Sequence, residues 1–325
     1  MPTITFENQS YPCEAGELLL DALTRQGVNL PFGCRAGGCQ ACMLKATDGD
    51  VPALAQTNIE EKLRRKHYFL ACLCRPESDM TIALPDPADR YHSAIVFEKV
   101  ALNAQIIRLR CSLPEGFSYR PGQFVNLTPP DLSITRSYSL ASLPEEPFVE
   151  FHIRLLPDGR MSRWLAESVN NGDFIFLSDP LGHCYYRNQP RPLLLAGTGT
   201  GLAPLYGITR DALGQQHPHA ITLLHGALDQ QGLYHHDALQ TLADAHSNLH
   251  YLPVVLHDGA PANGAQGSIQ DQFAHQLETL PSTDCDAERQ PLIFLCGDTA
   301  TVAAMRETAL AAGIADSLIY TDSFG

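Results

Sequence analysis

The 325-residue sequence predicts a multidomain protein of three successive units: a small N-terminal unit around a cysteine-rich loop, an antiparallel β-barrel or sandwich, and a doubly wound α/β domain. Three observations lead there. Residues 1–90 hold a loop rich in Gly and Cys, with cysteines spaced C-x4-C-x2-C. Residues 91–188 are short alternating runs separated by Gly, Pro and Asp, the texture of antiparallel strands. Residues 189–325 alternate buried-strand runs with helix-like segments, which implies a parallel sheet.

Composition narrows the function before any motif is read. Hydrophobic residues make up 44% of the chain and charged ones 18%, an ordinary globular balance. Lys and Arg number 22 against 36 Asp and Glu, a net charge of −14 that repels phosphate backbones and anionic lipid. Nucleic acid and membranes are therefore not expected partners. No apolar run reaches the roughly 20 residues of a membrane helix, and the N-terminus lacks the build of a signal peptide. A cytoplasmic monomer is expected. Ten cysteines without an export signal point to metal ligands or buried thiols rather than disulfides.

In the first unit, Thr3-Ile4-Thr5-Phe6 alternates as a strand and Leu18 to Gln26 reads as a helix ended by Gly27. The loop Cys34-Arg35-Ala36-Gly37-Gly38-Cys39-Gln40-Ala41-Cys42 follows, and with Cys72 beyond it the spacing is that of plant-type [2Fe-2S] centres. Four thiolates must converge on a compact cluster. Gly37 and Gly38 let the loop take positive φ and bring backbone amides toward the sulfurs. A structural zinc site also uses four thiolates, but it draws them from paired C-x2-C knuckles, and this loop has one such spacing. Cys74 is the alternative fourth ligand. Leu70-Ala71-Cys72 matches the ferredoxin pattern and favours Cys72, leaving Cys13, Cys74, Cys111, Cys184 and Cys285 as buried or surface thiols. The unit resembles the N-terminal ferredoxin domain of oxygenase reductases. That resemblance implies a β-grasp fold, with Cys34, Cys39, Cys42 and Cys72 holding the cluster. Pro85-Asp86-Pro87 reads as the linker, since proline disfavours helix at the residue before it.

In the second unit, strands are expected at residues 106–110, 124–127 and 148–153, with a helix from Met161 to Val169. Here stands Arg136-Ser137-Tyr138-Ser139, preceded by Pro121-Gly122-Gln123-Phe124 and followed by Gly159-Arg160-Met161-Ser162. An arginine can fork onto a pyrophosphate, a tyrosine ring can stack on a flat heterocycle, and a helix start with Gly and Ser offers free amides to a phosphate. In this order, and continued by Gly172-Asp173 and Asp179-Pro180-Leu181-Gly182, the elements resemble the flavin-binding half of the ferredoxin-NADP reductase superfamily. The resemblance implies an antiparallel β-barrel FAD domain, with FMN the alternative flavin. It puts Arg136 on the pyrophosphate, Tyr138 on the isoalloxazine, Ser139 near N5, His152 and Ile153 along the cofactor, and Gly159, Met161 and Ser162 at its phosphate.

In the third unit, Leu193-Leu194-Leu195-Ala196-Gly197-Thr198-Gly199-Thr200-Gly201-Leu202-Ala203-Pro204 is a buried strand, a glycine turn and a helix start. Gly197, Gly199, Thr200 and Gly201 would let a pyrophosphate approach the helix N-terminus, as in a nucleotide-binding doubly wound domain. The run from Gly199 to Pro204 resembles the reductase superfamily's own fingerprint. By the same resemblance Cys296, Gly297 and Asp298 lie beside the nicotinamide, where Asp298 replaces a frequent proline, and Phe324 covers the flavin face. Between Arg210 and Arg289 there is no Lys or Arg, so no cation awaits the 2′-phosphate of NADPH, and NADH is the expected donor.

NADH gives two electrons as hydride, an iron-sulfur centre takes one at a time, and a flavin bridges the two. In domain order the chain resembles the benzoate and naphthalene dioxygenase reductases, and equally those of phenol and methane monooxygenases and of deoxysugar dehydratases. The resemblance implies an NADH-dependent oxidoreductase that passes electrons through FAD and a [2Fe-2S] centre to an acceptor protein such as an oxygenase component. A redox-sensing module and a stand-alone flavin reductase are the alternatives.

Overall fold

The computed structural model describes residues 1–279 and 290–324, so Cys285 lies outside the described residues. Each unit builds its own sheet. In the first, β1 (Thr3–Phe6), β2 (Gln9–Pro12), β3 (Met43–Asp48), β4 (Tyr68–Leu70) and β5 (Met80–Ala83) run in the order β2-β1-β5-β3-β4. Only β1 and β5 pair in parallel. Glu7 and Asn8, both at positive φ, make the tight β1–β2 turn that such hairpins require. Helix α1 (Leu19–Arg25) lays Leu19, Leu20 and Leu23 on the sheet against Ile4, Tyr68 and Phe69. Each buried leucine contributes roughly 1.5–3 kcal/mol, and the helix-on-mixed-sheet arrangement is that of a β-grasp.

The proline linker is more ordered than two prolines suggest. Pro87 opens a one-turn helix α3 (Pro87–Arg90), after α2 (Glu61–Arg64), and Asp86 Oδ1 accepts the Ala88 N–H at 3.0 Å. Proline is tolerated at a first helical position because the N–H it lacks would be unpaired there. Tyr68 Oη donates to Asp89 at 3.0 Å and ties the turn to the first unit.

The second unit is antiparallel throughout: β6 (Tyr91–Ala101), β7 (Ile106–Ser112), β8 (Phe124–Thr128), β9 (Arg136–Ser139), β10 (Phe148–Arg154) and β11 (Phe174–Ser178), in the order β10-β7-β6-β11-β8-β9. The ends of this sheet meet where Ala141 N–H donates to Glu150 O at 2.9 Å, and the barrel closes on Val149, Phe151, Ile153, Leu127 and Leu177. Strand β6 hides from a periodicity reading because Ile95 and Phe97 are exposed between the buried Ala94 and Val96. The helix expected at Met161–Val169 is one α-turn, α4 (Arg160–Arg163), widening into a π-type turn at Trp164–Ser168.

The third unit is a parallel sheet of β12 (Leu193–Thr198), β13 (Ile221–Ala227), β14 (Leu249–Val255), β15 (Ala265–Gln266), β16 (Leu292–Asp298) and β17 (Ile319–Phe324), ordered β15-β14-β13-β12-β16-β17. Helices α5 (Leu202–Gly214), α6 (His236–Ala245), α7 (Ile269–Thr279) and α8 (Thr299–Ala311) connect the strands, and one apolar core lies on each face. Strand order reverses between β12 and β16, and in such sheets a ligand crevice opens at that switch point. Among the described residues, no helix is long and apolar enough to cross a membrane.

Candidate active site

The cysteine loop sets its sulfurs in two pairs. Cys34 N–H points to Cys39 Sγ at 3.3 Å, Cys39 N–H to Cys34 Sγ at 3.3 Å, and Ala36 N–H to Cys34 Sγ at 3.4 Å. Cys42 and Cys72 act on one another, raising the Cys42 pKa and lowering that of Cys72. Burial works against the Cys34 thiolate, but the amides of Cys39, Ala36 and Gly38 outweigh it and lower the pKa. Cys42, as hydrogen-bond partner, and the local backbone amides lower that of Cys72. Amides aimed at two thiol pairs are what a four-thiolate cluster needs, so the residues fit a [2Fe-2S] centre. Gly37 has φ 79°, and a Cβ there would stand 2.6 Å from Leu73 Cδ1. Cys34 is exposed while Cys39, Cys42 and Cys72 are buried, which leaves one edge of the site open to a partner. Cys74 is buried instead in the core beside Cys13, and burial pushes its thiol up to about 12.

Strand β9 presents Arg136, Ser137, Tyr138 and Ser139 between the other two units. Arg136 Nη1 donates to Thr135 O at 2.8 Å and to Phe32 O of the first unit at 3.3 Å. A guanidinium has five N–H donors, so two carbonyls leave capacity for a pyrophosphate. Tyr138 packs on the barrel core, and Ser139 is buried at the strand end. Gly159 precedes α4 without a side-chain cap, but Ser162 Oγ accepts the Leu156 N–H at 2.8 Å and Met161 is buried in the barrel core. Of the two side chains expected at a phosphate, Ser162 thus closes its own turn and Met161 fills the core.

His152 and Ile153, expected along the flavin, send their side chains elsewhere. Ile153 is fully buried in the barrel core. His152 faces the third unit, with Nδ1 3.2 Å from Tyr234 Oη and Nε2 3.0 Å from Glu150 Oε1 and 3.3 Å from His235 Nε2. Burial resists charge on Glu150, yet His152 and Arg110 hold it at about 2. Alternation along β10 is the reason: Val149, Phe151 and Ile153 fill the barrel, and His152 between them points outward to the third unit.

At the switch point the second and third units converge. Ser139 Oγ donates to Asp322 Oδ2 at 3.0 Å, and Asp322 sits in register with Cys296 across β17 and β16. Cys296 Sγ lies 3.5 Å from Cys184 Sγ, which follows the barrel. Burial, and then Cys184, drive the Cys296 pKa well above the ordinary thiol range, so it stays a neutral thiol. Burial raises the Asp322 carboxyl to about 6 against the pull of Ser139. Phe324 is half-buried, in register with Asp298. Asp298 is accounted for locally: its Oδ1 accepts the Thr301 N–H at 3.0 Å and caps α8. Sequence reading missed Asp322 and Cys184, since a lone Asp or Cys carries no local signal.

The glycine turn from Gly199 to Gly201 delivers the chain into α5, whose N-terminus has no side-chain cap. A Cβ on Gly201 would meet Cys296 O at 2.2 Å, and one on Gly197 would meet the same oxygen at 2.9 Å. With the Leu202 N–H turned back onto the Gly199 carbonyl and no N–H on Pro204, the Gly199–Gly201 turn, itself without a side-chain cap, and this close backbone approach fit a dinucleotide pyrophosphate. After β13 come Leu228, exposed, and Asp229, which caps the next turn through the Gly232 N–H. Burial lowers His225 to about 3 and His235 to about 4, so neither supplies a cation at neutral pH.

Known proteins share this arrangement. Residues 3–77 match the 2Fe-2S iron-sulfur cluster binding domain, residues 93–186 the oxidoreductase FAD-binding domain and residues 195–307 the oxidoreductase NAD-binding domain. The chain is 34% identical to the ferredoxin--NAD(P)(+) reductase component of a naphthalene 1,2-dioxygenase system of Pseudomonas putida, over 98% of this chain and 96% of that protein. It is 32% identical to a toluate 1,2-dioxygenase electron transfer component of the same species, over 95% and 93%. Among solved structures, an Amycolatopsis cytochrome P450 reductase matches with a TM-score of 0.68 at 27% identity, covering 100% of this chain and 99% of that one.

Proposed function

The chain belongs to the iron-sulfur flavoprotein reductases of oxygenase systems, and on that footing we propose that it oxidises NADH and delivers the electrons singly, through a [2Fe-2S] centre, to an oxygenase component. One observation carries the reading. The four-residue strand β9 touches the cluster-loop unit through Arg136 and the nucleotide unit through Ser139, so a cofactor lying on it adjoins both. Each NADH yields one NAD+, one proton and two electrons for two one-electron acceptors.

When bound, the flavin supplies the conversion of a two-electron hydride into single electrons. The residues do the rest. Cys34, Cys39, Cys42 and Cys72 hold the cluster, with Cys34 at the edge a partner reaches. Arg136 holds the flavin pyrophosphate and Tyr138 lies against its ring. The glycine turn Gly199-Thr200-Gly201 that opens α5, with Gly197 before it, takes the NADH pyrophosphate. Cys296, kept neutral by burial, and Gly297 shape the nicotinamide bed, and Phe324 guards it. Asp322, poised near neutrality, holds or releases a proton at Ser139 Oγ beside the reacting atoms. The corresponding functional units are residues 1–90, 91–188 and 189–325.

Anaerobic titration of the purified protein with NADH and, separately, NADPH tests this reading, followed by visible absorbance and low-temperature EPR. Bleaching of a flavin by NADH with a reduced [2Fe-2S] signal is the expected result. Absence of flavin or cluster, or a response to NADPH alone, overturns it.

A further inference from the structure

The barrel strand β8 carries one polar side chain that is buried against another unit. Asn126 is 1% exposed, and both ends of its amide are used. Nδ2 donates to the carbonyl of Cys39 at 2.8 Å, and Oδ1 accepts from Ser137 Oγ at 2.8 Å. Its backbone is fixed too, since Asn126 N–H donates to Ser178 Oγ at 2.9 Å and the residue pairs with Ser137 across β8 and β9. Its neighbours Val125 and Leu127 point into the barrel, so Asn126 faces outward by strand alternation. A buried donor without a partner costs about 1–3 kcal/mol, and with the cluster loop seated over it the partner of Nδ2 is the Cys39 carbonyl. Among the described residues, two other hydrogen bonds between these units, Lys62 to Asp179 at 3.5 Å and Arg136 to Phe32, are exposed, and exposed charge pairs are screened and weak.

We infer that Asn126 is a positioning residue that pins the cluster loop to the flavin-motif strand through Cys39 and Ser137, and so sets the gap that single electrons cross. The inference rests on the function proposed above. Cys39 is both a cluster ligand in that reading and the residue whose carbonyl Asn126 holds, so a shift of the loop moves the sulfur with it. Tunnelling rates fall exponentially with distance, which makes a buried, two-sided anchor effective where exposed ion pairs are not. No bond forms or breaks at Asn126. One electron at a time passes from the hydride-reduced side to the cluster, and the proton is left behind.

The test uses the holoprotein with Asn126→Leu, which keeps the heavy-atom count and the branch at Cγ without polar atoms, and Ser137→Ala, which frees only one end of the amide. Anaerobic stopped-flow after mixing with NADH separates flavin bleaching from cluster reduction, and hydrogen exchange reports the loop. Expected in Asn126→Leu are an unchanged hydride step, a severalfold slower flavin-to-cluster step, and protection of the Cys39 and Gln40 amides lowered about tenfold, the weight of one buried hydrogen bond. Ser137→Ala shifts both readouts the same way by less. Unchanged flavin-to-cluster rate and loop protection in both variants overturn the inference, as does a hydride step slowed by the same factor. Failure of NADH to reduce either centre in the unsubstituted chain overturns the parent reading instead.

Discussion

Ser139 Oγ donates to Asp322 Oδ2 at 3.0 Å, joining residues 183 positions apart and bringing the barrel's flavin-motif strand onto the last strand of the nucleotide unit. Asp322 lies in register with Cys296, and burial of its carboxyl raises it to about 6.

That shift has a sign. The folded chain binds the Asp322 proton more tightly than the unfolded one, so stability falls as pH rises through about 4 to 6 and is flat above. Asp322→Asn removes this titrating charge. Its stability advantage over the parent should grow across that window to roughly 2–3 kcal/mol at pH 8, at about 1.4 kcal/mol per unit, in urea unfolding followed at several pH values. Hydride transfer in the variant should lose its pH dependence near 6. Equal pH dependence of the two proteins would show that Asp322 does not titrate as described.

Cysteine substitutions should separate ligands from core thiols. Cys34→Ser and Cys72→Ser should each lose iron and acid-labile sulfide while retaining bound flavin. Cys74→Ser should keep the cluster but lower unfolding stability by about 1–3 kcal/mol, since its hydroxyl enters an apolar core. Cluster loss in Cys74→Ser alone would reverse the ligand assignment.

Dinucleotide choice should follow charge. With Leu228 and Asp229 after β13 and neutral histidines nearby, kcat/KM for NADH should exceed that for NADPH by about 10- to 100-fold, or 1.4–2.8 kcal/mol. Leu228→Arg places a cation at an exposed position there. Steady-state kinetics should show NADPH gaining severalfold and NADH little changed.

Backbone contact at the switch point should be intolerant of a methyl. In Gly201→Ala the new Cβ runs into Cys296 O, so calorimetry should report about 1–3 kcal/mol lost, together with a raised KM for NADH. The exposed Gly214, whose Cβ would meet nothing within 4 Å, is the control: alanine there should leave KM unchanged.

Much of this site was legible because its chemistry is local. The cysteine loop, the Arg136–Ser139 tetrapeptide and the Gly197–Gly201 turn each place their groups within a few residues, where covalent geometry fixes what is near what. Sheet types followed from hydrophobic period, and β6 escaped because its outward face is apolar as well. Single-residue roles drawn from the motifs fared differently. Ser162, Met161 and Asp298 carry the right chemistry, yet each has its side chain engaged in its own turn, core or helix cap.

The sequence by itself therefore determined the three units, their order and the residue types able to hold a cluster, a flavin and a dinucleotide. Tertiary structure alone decided that Asp322 meets Ser139, that Cys184 meets Cys296, that Asn126 seats Cys39, and that His152 turns to Tyr234. These pairings depend on strand register and domain docking. Because side chains alternate across a strand, a slip of one residue would exchange His152 for Ile153, and no local pattern records which of the two faces the next domain.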